Sequence, residues 1–382
     1  MLFYIFLFLF GINFMLWGSA FLAIPFGVTL IKKKRIKVNI TTVILVAFVT
    51  AYLIPEIAAG QRSTVRLLFV PLAFLLGYNY FDVIDKKDIV TSYLVIAIGM
   101  AAHVILSVAL TMAHNGIRTG YVSVYTDIWS RTITTTTGLM SNYVLFLPMF
   151  VYALSKGGKY YTFIPFSLLG VVFGILTGNR STLVLFIAAT IVGVLISIFH
   201  KQKRIAIIMI VMIAVLLLFV ILAYQFNWLG IRSMYDNSYL AFRVSFTKAN
   251  DASLIDSGRW DAKGMYISKM LDYPWGGGAL REEVGIYAHD IWLDTWSSGG
   301  WIAFTALTVY MAGFIYRIIR FILTVDDLST KILFASFSVI LFMQYYVEPV
   351  LNGAPWLFIS ATLFDGMIAR YLSQEKPALS GE

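Results

Sequence analysis

The sequence predicts an all-α polytopic membrane protein of about 11 or 12 membrane-spanning helices with one long outer loop. Three observations predict it. Hydrophobic residues make up 59% of the 382 residues, and the mean hydropathy is +0.81. Charged residues make up 13%, against about 25% in a soluble domain. The apolar residues fall into runs of roughly 20, enough for a helix to cross a hydrocarbon core of about 30 Å. Lipid cannot satisfy backbone amides, so such runs must be helical. The alternating pattern of a membrane barrel is absent.

The predicted spans are 2–31, 38–58, 66–81, 89–112, 137–154, 161–178, 181–199, 205–224, 290–316, 332–347 and 356–370. A break at Trp17-Gly18 would divide the first and make 12. That first run is too long for a cleavable signal peptide and has no basic segment before it. The chain thus divides into an N-terminal bundle (1–224), an outer loop (225–289), a C-terminal set of spans (290–370) and a tail (371–382).

The loops alternate in character. Lys32 to Arg35, Lys86-Lys87, Lys156 with Lys159, Lys201 to Arg204, and Arg317 to Lys331 form a lysine-rich set. The positive-inside rule makes this set cytoplasmic, with the tail. Segments 59–66, 113–136, 178–181, 225–289 and 348–355 then face outward. Eleven spans place the N-terminus outside and twelve place it inside; the pattern leaves both open.

The chain has no cysteine, which excludes disulfides, cysteine-ligated zinc and thiol catalysis. Its net charge of +9 matters less than its placement. The outward loops hold nine arginines and three lysines, and the cytoplasmic ones five arginines and 12 lysines. A guanidinium fork grips phosphate in a bidentate way that an ammonium does not. The outward arginines, Arg243 and Arg281 among them, therefore point to an anion site, although loop salt bridges are the plainer reading of any single one.

Three places carry candidate chemistry. In TGNRST (177–182), Arg180 sits in a tight turn between apolar runs, where an ionisable residue is a functional candidate by default. Small polar neighbours, Asn179 among them, add donors for an anion; snorkelling to lipid headgroups is the alternative. In SGRW (257–260), Asp256-Ser257-Gly258 can cap a helix over 259–273 that Pro274 stops. Arg259 in its first turn opposes the helix dipole, so it calls for an acidic neighbour or a bound phosphate. Gly276-Gly277-Gly278 follows as a flexible or close-approach segment.

The third place, YAHDIWLDTWSSGGW (287–301), opens an apolar run with His289 and Asp290. A histidine near neutrality can accept a proton from a sugar hydroxyl; an ordinary helix start is the alternative. Asp294 lies one turn beyond Asp290. Trp292 and Trp296 read as membrane-interface anchors. Glu56 and Glu348 end apolar runs at the outer face, and His103 lies within a span, where a packing hydrogen bond is its simplest role.

Taken in order, these motifs resemble the O-antigen polymerase and O-antigen ligase superfamily. The match consists of the GNR turn at 178–180, the SGR at 257–259, the helix ending in Pro274 with its glycines, and His289 before Ser297-Ser298-Gly299-Gly300. It covers about 170–310. The resemblance implies a GT-C-like glycosyltransferase of a bacterial inner membrane, with its active site facing the periplasm and needing no cofactor or metal. Such an enzyme passes a glycan from undecaprenyl diphosphate to an acceptor sugar hydroxyl. Polymerases use another lipid-linked repeat unit as acceptor, and ligases use lipid A–core.

By the same resemblance His289, Arg180 and Arg259 are catalytic. Arg180, Arg259, Asp290, Arg281, Arg243 and Asn179 are candidates for substrate binding. The family residue after the histidine is usually Asn; Asp290 stands here, and it either orients His289, raises its basicity or caps the helix. Expected partners are the lipid-linked oligosaccharide, the bilayer and a chain-length regulator protein, with no nucleic acid. Polymerase is the favoured reading and ligase the alternative. A flippase or transporter is the rival of another class; it would show paired broken spans and charged residues at midplane, where mainly His103 falls.

Overall fold

A computed structural model describes residues 1–60, 62–115, 124–176, 179–228, 231–236, 241 and 259–379. It is 83% helical. Among the described residues, seven helices are long and apolar enough to cross a membrane, as a multi-pass membrane protein requires. The remaining predicted spans are the broken or polar ones. Helix α4 (Phe69–Asn79) continues a 3₁₀ stretch (Arg62–Leu68), α8 (Phe163–Leu176) has 14 residues, and α17 (Pro355–Leu379) carries Asp365 and Arg370.

The chain forms two compact units, each drawn from separate stretches. The first comprises 1–99, 258–324 and 344–382. The predicted span 2–31 is here two short helices, α1 (Leu2–Gly11) and α2 (Ala23–Lys33). Between them Asn13, Met15 and Leu16 take positive φ. Phe3 stacks on Tyr80 at 4.0 Å, and the Lys33 ammonium donates to the Asn79 carbonyl at 2.5 Å. The run therefore starts and finishes at the same end of the unit. Each helix has about half the length that 30 Å of hydrocarbon demands.

Glycine sets the close helix pairs of this unit. Helix α4 packs along α17, where a Cβ on Gly77 would stand 2.2 Å from the Leu363 carbonyl and one on Gly366 2.2 Å from that of Phe74. Helix α3 (Ile40–Ala58) runs against α14 (Ile291–Thr324), with Gly299 on Ala51 and Tyr52. Small residues let helix backbones approach where lipid supplies no hydrophobic drive between helices. At the lysine-rich end of these pairs Arg317 grips Asp365 with two bonds of 2.6 and 2.7 Å and also donates to Thr41. A buried carboxylate among apolar helices is tolerable only with such a partner.

The second unit comprises 100–257 and 325–343. It takes the latter part of α5 (Lys86–Asn115), a hairpin of β1 (Val124–Thr126) and β2 (Ile133–Thr135), then α6 (Thr136–Tyr143) and α7 (Met149–Lys156). Helices α8, α9 (Arg180–Phe199), α10 (Lys203–Gln225) and α11 (Ile231–Asp236) follow. His103 has the packing role expected: its Nε2 meets Asp127 Oδ2 at 2.8 Å, and Asn142 approaches Nδ1. Burial would raise the Asp127 carboxyl, but the bonds from His103 and from the Ser130 and Trp129 amides hold it below the usual range. The pair ties the hairpin to α5.

Gly366→Ala should lower the unfolding midpoint in detergent by several degrees, about 1–3 kcal/mol for overpacking. Gly264→Ala, with open space around it inside a helix, should be neutral or slightly stabilising. Equal effects of the two would remove the close-approach account.

Candidate functional site

The site is built on a small packed core within the first unit. Helix α12 (Arg259–Lys269) lies within the predicted 259–273, its expected cap Asp256-Ser257-Gly258 falling outside the described residues, and a 3₁₀ turn (Met270–Asp272) completes it before Pro274. Tyr266, Leu280, Ala288 and Trp296 pack together, joining α12 to α13 (Ala279–Val284) and to the start of α14. Trp296 is buried, and its indole N–H donates to the carbonyls of Met270 and Tyr273 at 2.7 and 3.1 Å. It ties α14 to the turn after α12; the expectation of a membrane-interface anchor is overturned, because the ring is buried inside the protein and its N–H bonds to the chain.

Helix α14 is broken at Gly300, whose φ of 65° and ψ of −163° leave the helical region. The segment after Pro274 fills the break. The Trp301 amide donates to the Pro274 carbonyl at 2.9 Å, and the Gly277 and Gly278 amides donate to Ser298 and Ser297, each at 2.8 Å. A Cβ on Gly276 would fall 2.4 Å from the Gly300 nitrogen. The glycine cluster is therefore a close-approach segment. Beyond the break, 301–324 is about 36 Å of helix, enough to span by itself. The turns from Ile291 to Gly299 are then free to carry the small core.

Asp290 caps α14. Its Oδ1 accepts from the Trp292 and Leu293 amides at 3.0 and 3.3 Å, and Asp294 reaches back to the amides of Ala288 and Asp290. Its other oxygen faces Lys263 at 3.4 Å. Of the three roles open to Asp290, the structure gives it the cap, together with a charge partner. Lys263 is 7% exposed, donates to the Tyr346 carbonyl at 2.5 Å and lies 3.5 Å from the centre of the Tyr346 ring. Burial lowers the Lys263 ammonium, against the pull of Asp290.

Arg259 finds the acidic neighbour its position called for. It donates to the Val347 carbonyl at 3.0 Å, at the end of α15 (Leu328–Val347), and stands 3.6 Å from Glu348. Burial pushes Glu348 up to about 7 against the pull of Arg259, and its Oε2 has no partner among the described residues. At neutral pH the carboxyl is partly protonated, so the arginine charge is incompletely balanced.

His289 follows these groups in the chain and adopts a left-handed φ of 53°, uncommon for a side chain with a Cβ. Burial, then the charges of Arg259 and Lys263, lower its imidazole to about 4. The ring is neutral at pH 7. Its Nδ1 is shut from solvent with no partner among the described residues, and the side chain as a whole is half-buried.

The other expected residues stand differently. Arg281 donates to the fully buried Glu56 at 3.2 Å and stacks over Tyr287, so a protein carboxylate already engages its charge. Asn179 belongs to the second unit and caps α9, its Oδ1 accepting from Thr182 and Ser181. Arg180 is the first residue of that helix; its side chain, like the whole of Arg243, lies outside the described residues. Reading the sequence missed Lys263. Its place one turn after Arg259, on the same face of α12, was the available signal. Among the described residues no group of three His, Asp or Glu is placed to hold a metal.

No protein-family model matches the sequence, and comparison with curated proteins finds no match.

Removing one partner of a buried pair leaves the other charge uncompensated. Asp290→Ala, which also deletes the cap, should destabilise by about 3–5 kcal/mol. Asp290→Asn keeps the cap and should lose less, and adding Lys263→Met to Asp290→Asn should recover part of that loss. Chemical unfolding in detergent orders the three; an Asp290→Ala protein as stable as wild type would exclude the paired-cap account.

Proposed function

We propose that the chain is a membrane glycosyltransferase of the lipid-carrier type, GT-C-like in architecture and working at the outer face of a bacterial inner membrane. In this reading it is a surface-polysaccharide polymerase. It transfers a glycan from undecaprenyl diphosphate to a sugar hydroxyl of another lipid-linked repeat unit. The observation that carries the reading is His289: a half-buried imidazole kept neutral by burial and by the charges of Arg259 and Lys263, at the start of a membrane helix.

The chemistry follows from those groups. The acceptor hydroxyl oxygen attacks the anomeric carbon, its proton passes to the His289 imidazole, and the bond to the diphosphate oxygen breaks. The leaving group is a dianion or more, and charge on the breaking bond's oxygen grows in the transition state. Cations that strengthen their hold as that charge develops lower the barrier, and Arg259, with its weakly charged partner, is suited to this. Burial, then Arg259 and Lys263, keep His289 unprotonated. Holding donor and acceptor together supplies much of the remaining acceleration. Arg180 enters this reading on the sequence resemblance alone.

His289→Ala should reduce glycan transfer at least 100-fold, the usual size of a lost general base, with normal membrane insertion. Retained activity removes the base assignment. The depressed imidazole also sets the pH profile. A base with a pKa of about 4 in the folded protein is active above that value and protonated below it. In kcat/KM of the free enzyme, an acid limb from His289 should therefore lie near pH 4 and should vanish in His289→Ala; a limb near 6.5 would contradict the buried setting.

Purified lipid-linked repeat unit, supplied alone, separates the two acceptors. Lengthened product supports the polymerase. No reaction until lipid A–core is added supports the ligase, which would use the same residues.

A further inference from the structure

The opposite, lysine-rich end of the first unit carries a second concave site that the proposed transfer does not use. A cavity of about 610 Å³ opens between the end of α2, the loop after it, the segment following α4 and the later part of α17. Five cations line it (Lys32, Lys33, Arg35, Lys37 and Arg370) against one carboxylate, Asp82. Asp82 is already paired with Lys33 at 2.8 Å.

The distribution of charge goes beyond what membrane topology or helix dipoles need. Lys33 satisfies the Asn79 carbonyl at the end of α4, as a cation at a helix C-terminus should. Arg370 donates to the Asp82 carbonyl at 2.6 Å. Lys32, Arg35 and Lys37 are exposed, and their side chains have no ion pair or hydrogen bond among the described residues.

The wall that carries them is built. Buried Asn79 clamps the loop backbone, its Oδ1 accepting from the Lys37 amide at 2.8 Å and its Nδ2 donating to the Lys37 carbonyl at 3.1 Å. Lys34 turns the chain out of α2 in the left-handed conformation. Three unbalanced cations are thus held around a void large enough for a charged headgroup, at the end of a membrane bundle. Basic pockets in that position favour phosphate-bearing ligands.

We propose that this cavity is a binding site for a phosphate group, carried either on an anionic lipid headgroup or on a soluble phosphate compound. It is independent of the transferase reading and of its residues.

The test uses the full chain purified in neutral detergent. Its unfolding temperature is followed while phosphatidylglycerol or inorganic pyrophosphate is added, with phosphatidylcholine as the zwitterionic control. Wild type should be stabilised by at least one of the two phosphates and not by phosphatidylcholine. The combined variant Lys32→Gln, Arg35→Gln and Lys37→Gln should need about tenfold more of that ligand or more. The combination Lys201→Gln, Lys203→Gln and Arg204→Gln removes equal charge from another basic loop and should stay within about twofold of wild type.

A response to phosphatidylglycerol alone assigns the phosphate to a lipid. A response to pyrophosphate assigns it to a soluble ligand. Stabilisation by neither, or equal loss in the two combined variants, overturns the proposal. If the first combination does not fold, Arg35→Gln alone should weaken binding about threefold or more, and an unchanged midpoint curve then overturns it.

Discussion

The first unit depends on one backbone docking. The segment from Pro274 to Gly278 lies in the break of α14 at Gly300, and three main-chain hydrogen bonds hold it there. A helix interrupted near a membrane leaves amides and carbonyls that lipid cannot satisfy. Here another stretch of the same chain satisfies them, and only glycines at 276 and 300 let the two backbones come close enough. That contact fixes α12 and α13 over the first turns of α14. It therefore determines which side chains meet at that end.

Once the small core is seated, charge burial does the rest. Lys263 is drawn under Tyr346 and toward the cap of α14, while Arg259 reaches the end of α15. Neither acid facing these cations is an ordinary surface partner. Asp290 divides its oxygens between a helix cap and an ammonium, and Glu348 is buried enough to be only partly ionised near neutrality. The outcome is two cations, their partners Glu348 and Asp290, and the buried Asp294, grouped near an imidazole that burial keeps neutral. Buried charge that is incompletely matched is a cost to stability.

Much of this arrangement was legible along the chain. Pro274 stops a helix that the structure describes over Arg259–Lys269 with a 3₁₀ turn after it. A cation in a first turn demanded a partner, and Glu348 is that partner. Less legible were features that depend on contacts distant in sequence. Trp296 has the look of an interface residue, yet it bonds to the turn after a helix that ends more than 20 residues earlier. Residues 2–31 have the length of a span, yet positive φ at Asn13, Met15 and Leu16 turns the chain back. The sequence marks a break nearby, at Trp17-Gly18, but not that the chain doubles back to give two half-length helices.

By itself the sequence determined the helical class, the crowding of apolar runs, the alternation of lysine-rich and arginine-rich loops, and the limits of individual helices. Those are local matters: lipid forbids unpaired amides, and caps, prolines and glycines act over a few residues. Tertiary structure alone decided that α14 breaks at Gly300 to receive the Pro274–Gly278 segment. It also decided that Asp290 pairs with Lys263, and that His289 is kept neutral by burial and two nearby cations. A side chain's charge state and partner depend on what packs around it from every direction, and that environment is assembled from stretches the sequence keeps far apart.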